Sequence, residues 1–373
     1  MPKYNPANER IKRDYFSFLK EARGQSADTV DAVAQALARF EADTQHKDFR
    51  TFRKEQATAF KRHLADRDSR ATGEKLSKAT QLATLAHLKR FFQWLAMQPG
   101  YRSKIQWADA EYLNFSDKDT RIATARRPPR VPTLEQVLHV IRTMPAATEL
   151  EQRDRALMAF ALLTGARDSA LASMRLGHVD LKAGSVFQDA RTVKTKFSKT
   201  FTTFFFPVGA DVRAIFDEWV RHLREVRLWG NDDPLFPATR VAPGADLQFQ
   251  AVGLDRAGWG TAGPIRVIFK RAFEAAGLPY YNPHSLRKTL VLLGQQVCRT
   301  PEEFKSWSQN LGHDGVLTTF ASYGEVALGR QGDLMRAMGV PAAEVSAADN
   351  PDVRGALALL VKQLGFENDR VLR

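Results

Sequence analysis

Apolar side chains recur at helical spacing through the first part of the chain. The first stripe follows Ser26 and Asp28, two favourable N-cap residues, and so predicts a helix that begins there. Its members are Val30, Val33, Leu37 and Phe40. A longer stripe ends before Pro99–Gly100 and comprises Leu82, Leu85, Leu88, Phe92 and Leu95. These stripes predict a small bundle of roughly four or five helices over residues 1–116.

Residues 117–132 interrupt the apolar pattern, because they hold three prolines and almost no large apolar side chains. Their basic residues are Lys118, Arg121, Arg126, Arg127 and Arg130. Proline-rich chain tends to be extended, so the segment is predicted to be an extended linker between two domains. Its charges either follow a phosphate backbone or are simply solvated, and the sequence favours neither interpretation.

Helical patterning resumes at Thr133, which forms a capping-box pattern with Gln136. A helix with a buried character is predicted from about Asp154 to Thr164, and Gly165 ends it. The three later helices that the pattern predicts lie over residues 264–276, 283–297 and 300–312.

Two stretches of this second domain lack helical periodicity. Residues 185–208 are rich in Phe and Thr around a lysine-rich middle, which predicts a hairpin or small sheet. Residues 228–264 are rich in Gly, Pro and Asp and predict an irregular connection. The fold class is therefore mainly α, with a small antiparallel β-sheet in the second domain.

The chain ends with a separate helical pattern. Residues 338–350 are dominated by Ala, Pro, Ser and Asp and predict a flexible segment, after which Asn350–Pro351 begins a last helix. Its apolar stripe comprises Val353, Leu357, Leu360 and Leu364. The predicted organisation is a helical domain, a basic linker, a second domain and a C-terminal helix, at residues 1–116, 117–132, 133–346 and 347–373.

The chain of 373 residues is strongly basic, with 55 Lys and Arg against 42 Asp and Glu and a formal net charge of +13. This excess favours a polyanionic partner, nucleic acid ahead of an anionic membrane, although a merely soluble cationic surface is the alternative. No run of about 18 apolar residues predicts a membrane span. The N-terminus lacks the apolar stretch of a secretory signal, so the expected compartment is the cytoplasm.

Neither metal nor nucleotide chemistry is indicated. The eight histidines show no His-x-x-x-His spacing near carboxylates, and the single cysteine, Cys298, can build neither a zinc site nor an intramolecular disulfide. No glycine-rich Walker loop is present. We therefore expect no metal ion and no cofactor.

Arg167 is the first candidate for phosphate binding. It follows Thr164–Gly165, where a glycine allows the backbone to turn sharply at the end of a buried helix. The arginine can then project from a rigid base, and its planar guanidinium can donate two parallel hydrogen bonds to a phosphate. A salt bridge with Asp168 or Asp154 is the alternative.

His284 and Arg287 form a second cluster, in the sequence Pro283-His284-Ser285-Leu286-Arg287. Three residues apart on a helix, their side chains point to nearly the same side. The pair lies off the apolar stripe of its helix, which argues against a role in core packing. The alternative to phosphate binding is an ordinary exposed pair.

Proton-transfer candidates follow from the remaining motifs. His313 comes after Leu311–Gly312 and could donate to a phosphate oxygen or cap the helix end. A hairpin lysine beside a scissile phosphate could protonate the departing 5′ oxygen, an effect of typically ~10²–10⁴ in rate, although an exposed solubilising turn is the alternative. Tyr323 lies ten positions after His313 and is the candidate nucleophile. The hairpin lysines are Lys194, Lys196 and Lys199.

This ordered set resembles the tyrosine recombinase family, also called the phage integrases. The resemblance covers about residues 133–330, and the N-terminal helical part is similar to the family's core-binding domain in position and character only. Each cluster alone is a weak signal, but five in this order at plausible intervals are specific. The resemblance implies a core-binding domain and a catalytic domain that clamp DNA. The motifs that carry it are Thr164-Gly165-Ala166-Arg167, the hairpin lysine, His284-Ser285-Leu286-Arg287, Leu311-Gly312-His313 and Tyr323.

The resemblance also implies a mechanism. Tyr323 would attack the scissile phosphorus, form a 3′-phosphotyrosyl bond and release a 5′-hydroxyl. Arg167 and Arg287 would stabilise charge on the non-bridging oxygens. His284 would help to accept the tyrosine proton, and His313 would donate to the phosphate. The covalent intermediate conserves the bond energy, so rejoining would need no nucleotide.

The resemblance further indicates the general acid and the partners. Lys196 is favoured, because Lys196-Phe197-Ser198-Lys199 is similar to the family's hairpin turn, and Lys199 and Lys194 are alternatives. Double-stranded DNA is the implied partner, bound by a dimer on each site and a homo-tetramer on paired sites, with a monomer allowed in free solution. The last helix would dock onto a neighbouring subunit or pack on its own domain.

Two features depart from the family's pattern. The family usually has an acidic residue three positions after the first arginine, whereas this chain has Ala170 there and its carboxylate at Asp168. The interval from His313 to Tyr323 is also slightly longer than is common. The function expected is site-specific DNA recombination, for integration or excision of a mobile element. The alternatives are a topoisomerase of type IB character and a DNA-binding regulator with an inactive site.

Overall fold

The computed structural model describes residues 4–68, 73–125, 130–195, 198–244 and 248–313. The chain divides into two compact units, Met1–Arg127 and Pro128–Arg373. The predicted C-terminal helix, Tyr323 and Lys196 lie outside the described residues, as do Arg126 and Arg127.

The first unit is helical. Its α-helices are α1 (Pro6–Ser17), α2 (Ala27–Asp43), α3 (Lys54–Asp66), α4 (Lys78–Leu95) and α5 (Asp117–Thr124). Ser26 caps α2 as predicted, since its side chain accepts from the backbone N–H of Thr29. Aromatic side chains fill the core, where Phe40 packs edge-to-face on Phe60 and on Phe92 with ring centroids 5.2 and 5.1 Å apart. The predicted apolar stripes are therefore the buried faces of real helices.

The predicted linker starts differently from expectation. Residues 117–124 form α5, not extended chain, and α5 packs against α4 within the first unit. Ser116 caps α5 by accepting from the backbone N–H of Asp119, and the first proline of the segment comes only after the helix has ended. The cap and the distance to the prolines explain why a helix forms here.

The second unit combines seven α-helices with two small sheets in its described part. Its helices are α6 (Leu134–Thr143), α7 (Glu149–Thr164), α8 (Asp168–Ser173), α9 (Ala210–Arg221), α10 (Gly263–Ala275), α11 (Pro283–Val297) and α12 (Pro301–Asn310). Its strands are β1 (Val179–Asp180), β2 (Ser185–Gln188), β3 (Phe201–Phe204), β4 (Pro237–Pro243) and β5 (Phe249–Gly258). The capping boxes predicted at Thr133 and Thr300 are both present and begin α6 and α12.

The first sheet confirms the predicted hairpin. Strands β1, β2 and β3 are antiparallel in that order, and Val186 pairs with Thr203. The chain between β2 and β3 carries the three candidate lysines. Because β3 also contacts α12, this sheet connects the lysine loop to the helix that precedes His313.

Residues 228–264, predicted to be irregular, contain the antiparallel hairpin β4–β5 instead. Its strands alternate weakly and carry bulges, which is why periodicity does not reveal them. Arg153 of α7 anchors the hairpin, because it donates to the carbonyl of Pro237 and to the Thr239 hydroxyl, each at 3.0 Å. Its guanidinium also lies over the Trp259 ring, 5.1 Å from the centroid.

Helix α7 is the centre of the second unit, since every residue from Ala156 to Thr164 is buried. It packs against α9 and α11, and its last residue leads directly to the Gly165 turn. A helix surrounded on all sides is a rigid support. The residues that follow Gly165 therefore start from a fixed point of the core.

Candidate active site

The turn after α7 places Arg167. Gly165 has φ 60°, a left-handed conformation, and a Cβ there would lie 3.0 Å from side-chain carbons of both Leu290 and Leu311. The Thr164 hydroxyl donates to the carbonyl of Phe160 and accepts from the N–H of Ala166, which fixes the turn. Arg167 then becomes the half-buried N-cap residue of α8. Glycine is thus required at this position for both conformation and space.

The two carboxylates considered as alternative partners of Arg167 bond other arginines. One oxygen of Asp168 accepts from Nε and from a terminal nitrogen of Arg266, at 2.9 and 2.7 Å. Asp154 accepts from Nε and a terminal nitrogen of its neighbour Arg153, at 2.9 and 2.7 Å. Each carboxylate therefore has an arginine other than Arg167 as a hydrogen-bonded partner.

Helix α11 presents the His-Arg pair. Asn282 caps the helix by accepting from the N–H of Ser285, and His284 lies exposed in the first turn. Arg287 is buried with 5% of its surface exposed, although it lies off the apolar stripe of its helix, and the alternative of an ordinary exposed pair does not hold for it. It donates to the carbonyl of Gly165 at 3.1 Å and to the carbonyl of Leu311.

The two carbonyls explain the burial of Arg287. They follow the C-terminal ends of α7 and α12, where unpaired carbonyls concentrate negative potential that a cation offsets. A guanidinium has five N–H donors, so two such bonds leave others for a ligand. Burial and the charge of Arg167 lower the pKa of Arg287 to about 9, so its side chain remains protonated at neutral pH.

The end of α12 positions His313. Asn310 bonds to β3 as another strand residue would, since its side chain accepts from the N–H of Phe204 at 2.7 Å and donates to the Phe204 carbonyl at 2.8 Å. Thr203 donates to the backbone carbonyl of Asn310. Gly312 adopts φ 67°, and a Cβ there would lie 2.6 Å from the Phe201 ring. His313 is thereby fixed to the sheet that carries the lysine loop.

Asn310 is a positioning residue that the sequence did not reveal. Its side chain acts as a substitute for backbone, and a single asparagine at the end of a helix has no pattern that announces such a role. The capping residues found from the sequence, by contrast, occur at fixed spacings.

Electrostatic effects show that the predicted residues lie together. Burial lowers the pKa of His313 to about 4, with further contributions from Arg287, Arg167, Lys199 and His284. The pKa of His284 is also lowered: the residue as a whole is exposed, but partial desolvation of its ring is the first cause, followed by the charges of Arg287, Lys288 and Arg167. Both imidazoles are therefore neutral at neutral pH in the DNA-free protein, which lets one ring nitrogen accept a proton and the other donate a hydrogen bond.

The described lysines point to different places. Lys199 donates to the carbonyl of Gly312 at 3.4 Å, so its ammonium lies beside His313. Lys194 instead donates to the carbonyl of Gly260, also at 3.4 Å, and is exposed. Arg121 on α5 and Arg130 before α6 are exposed.

The site as described consists of two arginines, two neutral histidines and a lysine. The five residues are Arg167, Lys199, His284, Arg287 and His313. Within residues 4–313 and outside the gaps, no cluster of His, Cys, Asp or Glu forms a potential metal site. In the same part of the chain, no helix has the length and apolar character that crossing a membrane requires. Such a site suits one phosphate group and proton transfers around it.

Residues 131–323 match the phage integrase family, and this match covers more than half of the chain and ends at Tyr323. The chain therefore belongs to the phage integrase family, the tyrosine recombinases. Proteins of this class carry out site-specific recombination of DNA, and neither the topoisomerase-like nor the inactive-regulator alternative is favoured.

Two curated relatives extend the similarity to most of the chain. Tyrosine recombinase XerC of Lactobacillus delbrueckii subsp. bulgaricus is 23% identical over 313 residues, which are 83% of this chain and 92% of that protein. Tyrosine recombinase XerC of Xylella fastidiosa is 25% identical over 314 residues, with coverages of 83% and 90%. Both alignments extend beyond the 193-residue span of residues 131–323.

Solved structures confirm the fold class. A lambda integrase dimer bound to a COC′ core site aligns with a TM-score of 0.57 at 15% identity, covering 86% of this chain and 99% of that one. The Tn1549 transposon integrase in complex with transposon right end DNA aligns with a TM-score of 0.52 at 14% identity, with coverages of 88% and 99%. The mainly helical architecture with small antiparallel sheets is therefore shared.

Proposed function

We propose that the protein cleaves and rejoins DNA at specific sites through a 3′-phosphotyrosyl intermediate formed by Tyr323. The observation that carries the proposal is that Arg287 donates to the carbonyls of Gly165 and Leu311, which brings three separate segments, those of Arg167, of His284 and Arg287, and of His313, to one place in the fold. The mutual effects of these residues on their pKa values agree with this geometry. Tyr323 attacks the scissile phosphorus and expels the 5′ oxygen, which leaves as a hydroxyl after protonation. Attack by another strand's 5′-hydroxyl reverses the step and releases the tyrosine.

Each member of the cluster has a role in this reaction. Arg167 and Arg287 stabilise the negative charge that develops on the non-bridging oxygens, because preorganised donors act strongly in a partly desolvated site. His284 accepts the proton of the Tyr323 hydroxyl, for which its neutral imidazole is suited. His313 donates to a phosphate oxygen. Since the phosphotyrosyl bond retains the energy of the cleaved ester, rejoining needs no nucleotide, and the two arginines supply the positive charge at the phosphate.

A nicked suicide substrate tests the proposal. Selection from random double-stranded DNA, followed by footprinting, identifies a binding site, and a nick next to the cleavage position lets the short strand diffuse away after attack. The wild-type protein is expected to form a covalent complex on this DNA in the absence of metal ions and nucleotides. Exchange of strands between two such sites would separate a recombinase from an enzyme that only relaxes DNA.

We further propose that one hairpin lysine protonates the leaving 5′ oxygen, with Lys196 favoured and Lys199 and Lys194 as alternatives. The bond between Lys199 and the Gly312 carbonyl supports Lys199 as a serious competitor, because it places an ammonium beside His313. Lys194 is the weakest of the three, since its ammonium lies at Gly260.

A substrate with sulfur in place of the bridging 5′ oxygen identifies the acid, since a thiolate leaves without protonation. The lysine that acts as acid is expected to lose ~10²–10⁴ in cleavage rate as its alanine variant, and the sulfur substrate should restore most of that loss. Cleavage kinetics for Lys194→Ala, Lys196→Ala and Lys199→Ala provide the comparison. If no variant recovers with sulfur, the lysines act in binding and not in proton transfer.

We also propose that the protein acts in the cytoplasm on a mobile element, as a dimer on each DNA site and a tetramer on paired sites. In this assembly the C-terminal helix predicted at residues 347–373 docks onto a neighbouring subunit. The motivation is the apolar stripe that follows the flexible segment at residues 338–350. Exposed basic residues such as Arg121 and Arg130, together with Arg126 and Arg127, would contribute phosphate contacts that weaken as salt rises.

Deletion of the residues after 346 is expected to abolish cooperative assembly on paired sites and to leave binding of one protomer to a half-site nearly unchanged. The reason is that the deletion removes an apolar subunit contact and no predicted DNA contact. Gel-shift titrations on half and full sites measure both quantities. Unchanged cooperativity would mean that the helix packs on its own domain.

A further inference from the structure

Asp168 has an unusual place for a carboxylate, directly after Arg167 in a site built from cations. Both of its oxygens are bonded: one accepts from the N–H of Ser169 at 2.9 Å, and the other accepts from Nε and a terminal nitrogen of Arg266 at 2.9 and 2.7 Å. Its side chain is only 24% exposed. The position of this negative charge is therefore well defined.

The ion pair joins two elements next to the site. Asp168 begins α8, whereas Arg266 comes from the first turn of α10 and is 60% exposed. Both charges act on Tyr280, which lies in the segment that leads into α11. Burial raises the pKa of Tyr280, the charge of Arg266 lowers it and the charge of Asp168 raises it. The pair thus lies beside the chain that delivers His284.

The charges that act on His284 are mostly positive. Arg167 acts from the start of α8 and Arg287 and Lys288 from α11 itself, while the neighbouring His313 follows α12. Among the groups with the largest effects on His284, Asp168 is the negative one, and its ion pair with Arg266 offsets part of its charge. A base surrounded by cations is a weak base unless some negative charge compensates them.

We propose that Asp168, held in place by Arg266, is a positioning residue that fixes the start of α8 under Arg167 and compensates the cations around His284. The inference rests on the proposed function, since it assigns His284 the task of accepting the tyrosine proton. Ala170, three residues after Arg167, is buried with 2% exposure and has no charge to offer, so Asp168 supplies the carboxylate on this side of the site.

Asp168→Asn and Arg266→Gln distinguish this role from that of an ordinary ion pair. A structural pair would make the two variants behave alike. In our proposal the two variants shift the acidic limb of the pH–rate profile for cleavage in opposite directions along the pH axis. This limb is the pH range in which the rate rises as His284 loses its proton. Removing the anion lowers the pKa of His284, so the limb shifts to lower pH and the neutral-pH rate falls about tenfold, because the base is weaker. Removing the cation raises the pKa of His284 and shifts the limb to higher pH.

Asp233→Asn is the matched control. Asp233 accepts from Arg256 through two bonds of 2.7 Å, one to each carboxylate oxygen, and from the N–H of Gly230, so it too combines an arginine partner with a backbone N–H. Asp168→Glu, which keeps the charge, should retain the limb of the wild type. All rates are measured as single-turnover adduct formation at saturating DNA, with thermal unfolding recorded for each variant.

Four outcomes are informative. Opposite shifts of the limb with an unshifted Asp233→Asn control support the proposal. Parallel loss of rate in both variants that follows the fall in unfolding temperature overturns it, as do limbs that coincide with that of the wild type. A wild-type protein that forms no adduct at any pH refutes the proposed function instead, so the two failures are separable.

Discussion

A Tyr323→Phe variant is expected to bind its DNA site with unchanged affinity and to form no covalent complex with it. The substitution removes only the hydroxyl oxygen that attacks phosphorus, and removal of a nucleophile commonly costs on the order of 10⁴-fold or more. The phosphate clamp of Arg167 and Arg287 remains. Denaturing gels of the nicked substrate measure the adduct, and gel shifts measure the affinity.

Tyr280→Phe is the matched control for this experiment. Tyr280 lies near the site, as the effects of Arg266 and Asp168 on its pKa show, and it is 42% exposed. Because the proposed mechanism gives Tyr280 no part in the reaction, the Tyr280→Phe variant should form most of the adduct that the wild type forms. An adduct that persists in Tyr323→Phe and disappears in Tyr280→Phe would show that Tyr280, and not Tyr323, is the nucleophile.

The elements that the sequence predicts well are those with a local physical cause. The capping boxes at Thr133 and Thr300 and the glycine stop at Gly165 depend on side chains within a few residues of one another, so their spacing is visible in the chain. The hairpin β4–β5 was missed because its bulges break the alternation that announces a strand. Helix α5 was missed because the prolines that follow it dominated the composition of the segment.

The candidate site likewise separates what short-range sequence patterns indicate from what only the folded chain shows. Residue types and order single out Arg167, His284, Arg287 and His313 as candidates, and the resemblance to the family supplies their expected roles. What they cannot reveal is how the fold holds them. Asn310 and the carbonyls that bind Arg287 are contacts between residues more than 20 positions apart, and the spacing of one sequence contains no record of them. The burial of Arg287 therefore emerges only with the ends of α7 and α12 in place.

Arg287→Gln is expected to impair both folding and cleavage, whereas Arg167→Gln impairs mainly cleavage. Glutamine in place of Arg287 removes a buried cation from two carbonyls at helix ends, which we expect to cost roughly 3 kcal/mol of unfolding free energy. Loss of one charged donor to the phosphate should lower the cleavage rate by about 10²–10³ in either variant.

An Arg287→Lys variant refines this contrast. Lysine retains the charge at position 287 but cannot reach both the Gly165 and the Leu311 carbonyls with one planar fork, so Arg287→Lys should recover only part of the stability. Chemical denaturation and single-turnover cleavage measure the two effects separately. Equal stability of Arg287→Gln and the wild type would show that the bonds to the helix ends contribute nothing to folding. In that case burial of the guanidinium serves the phosphate alone.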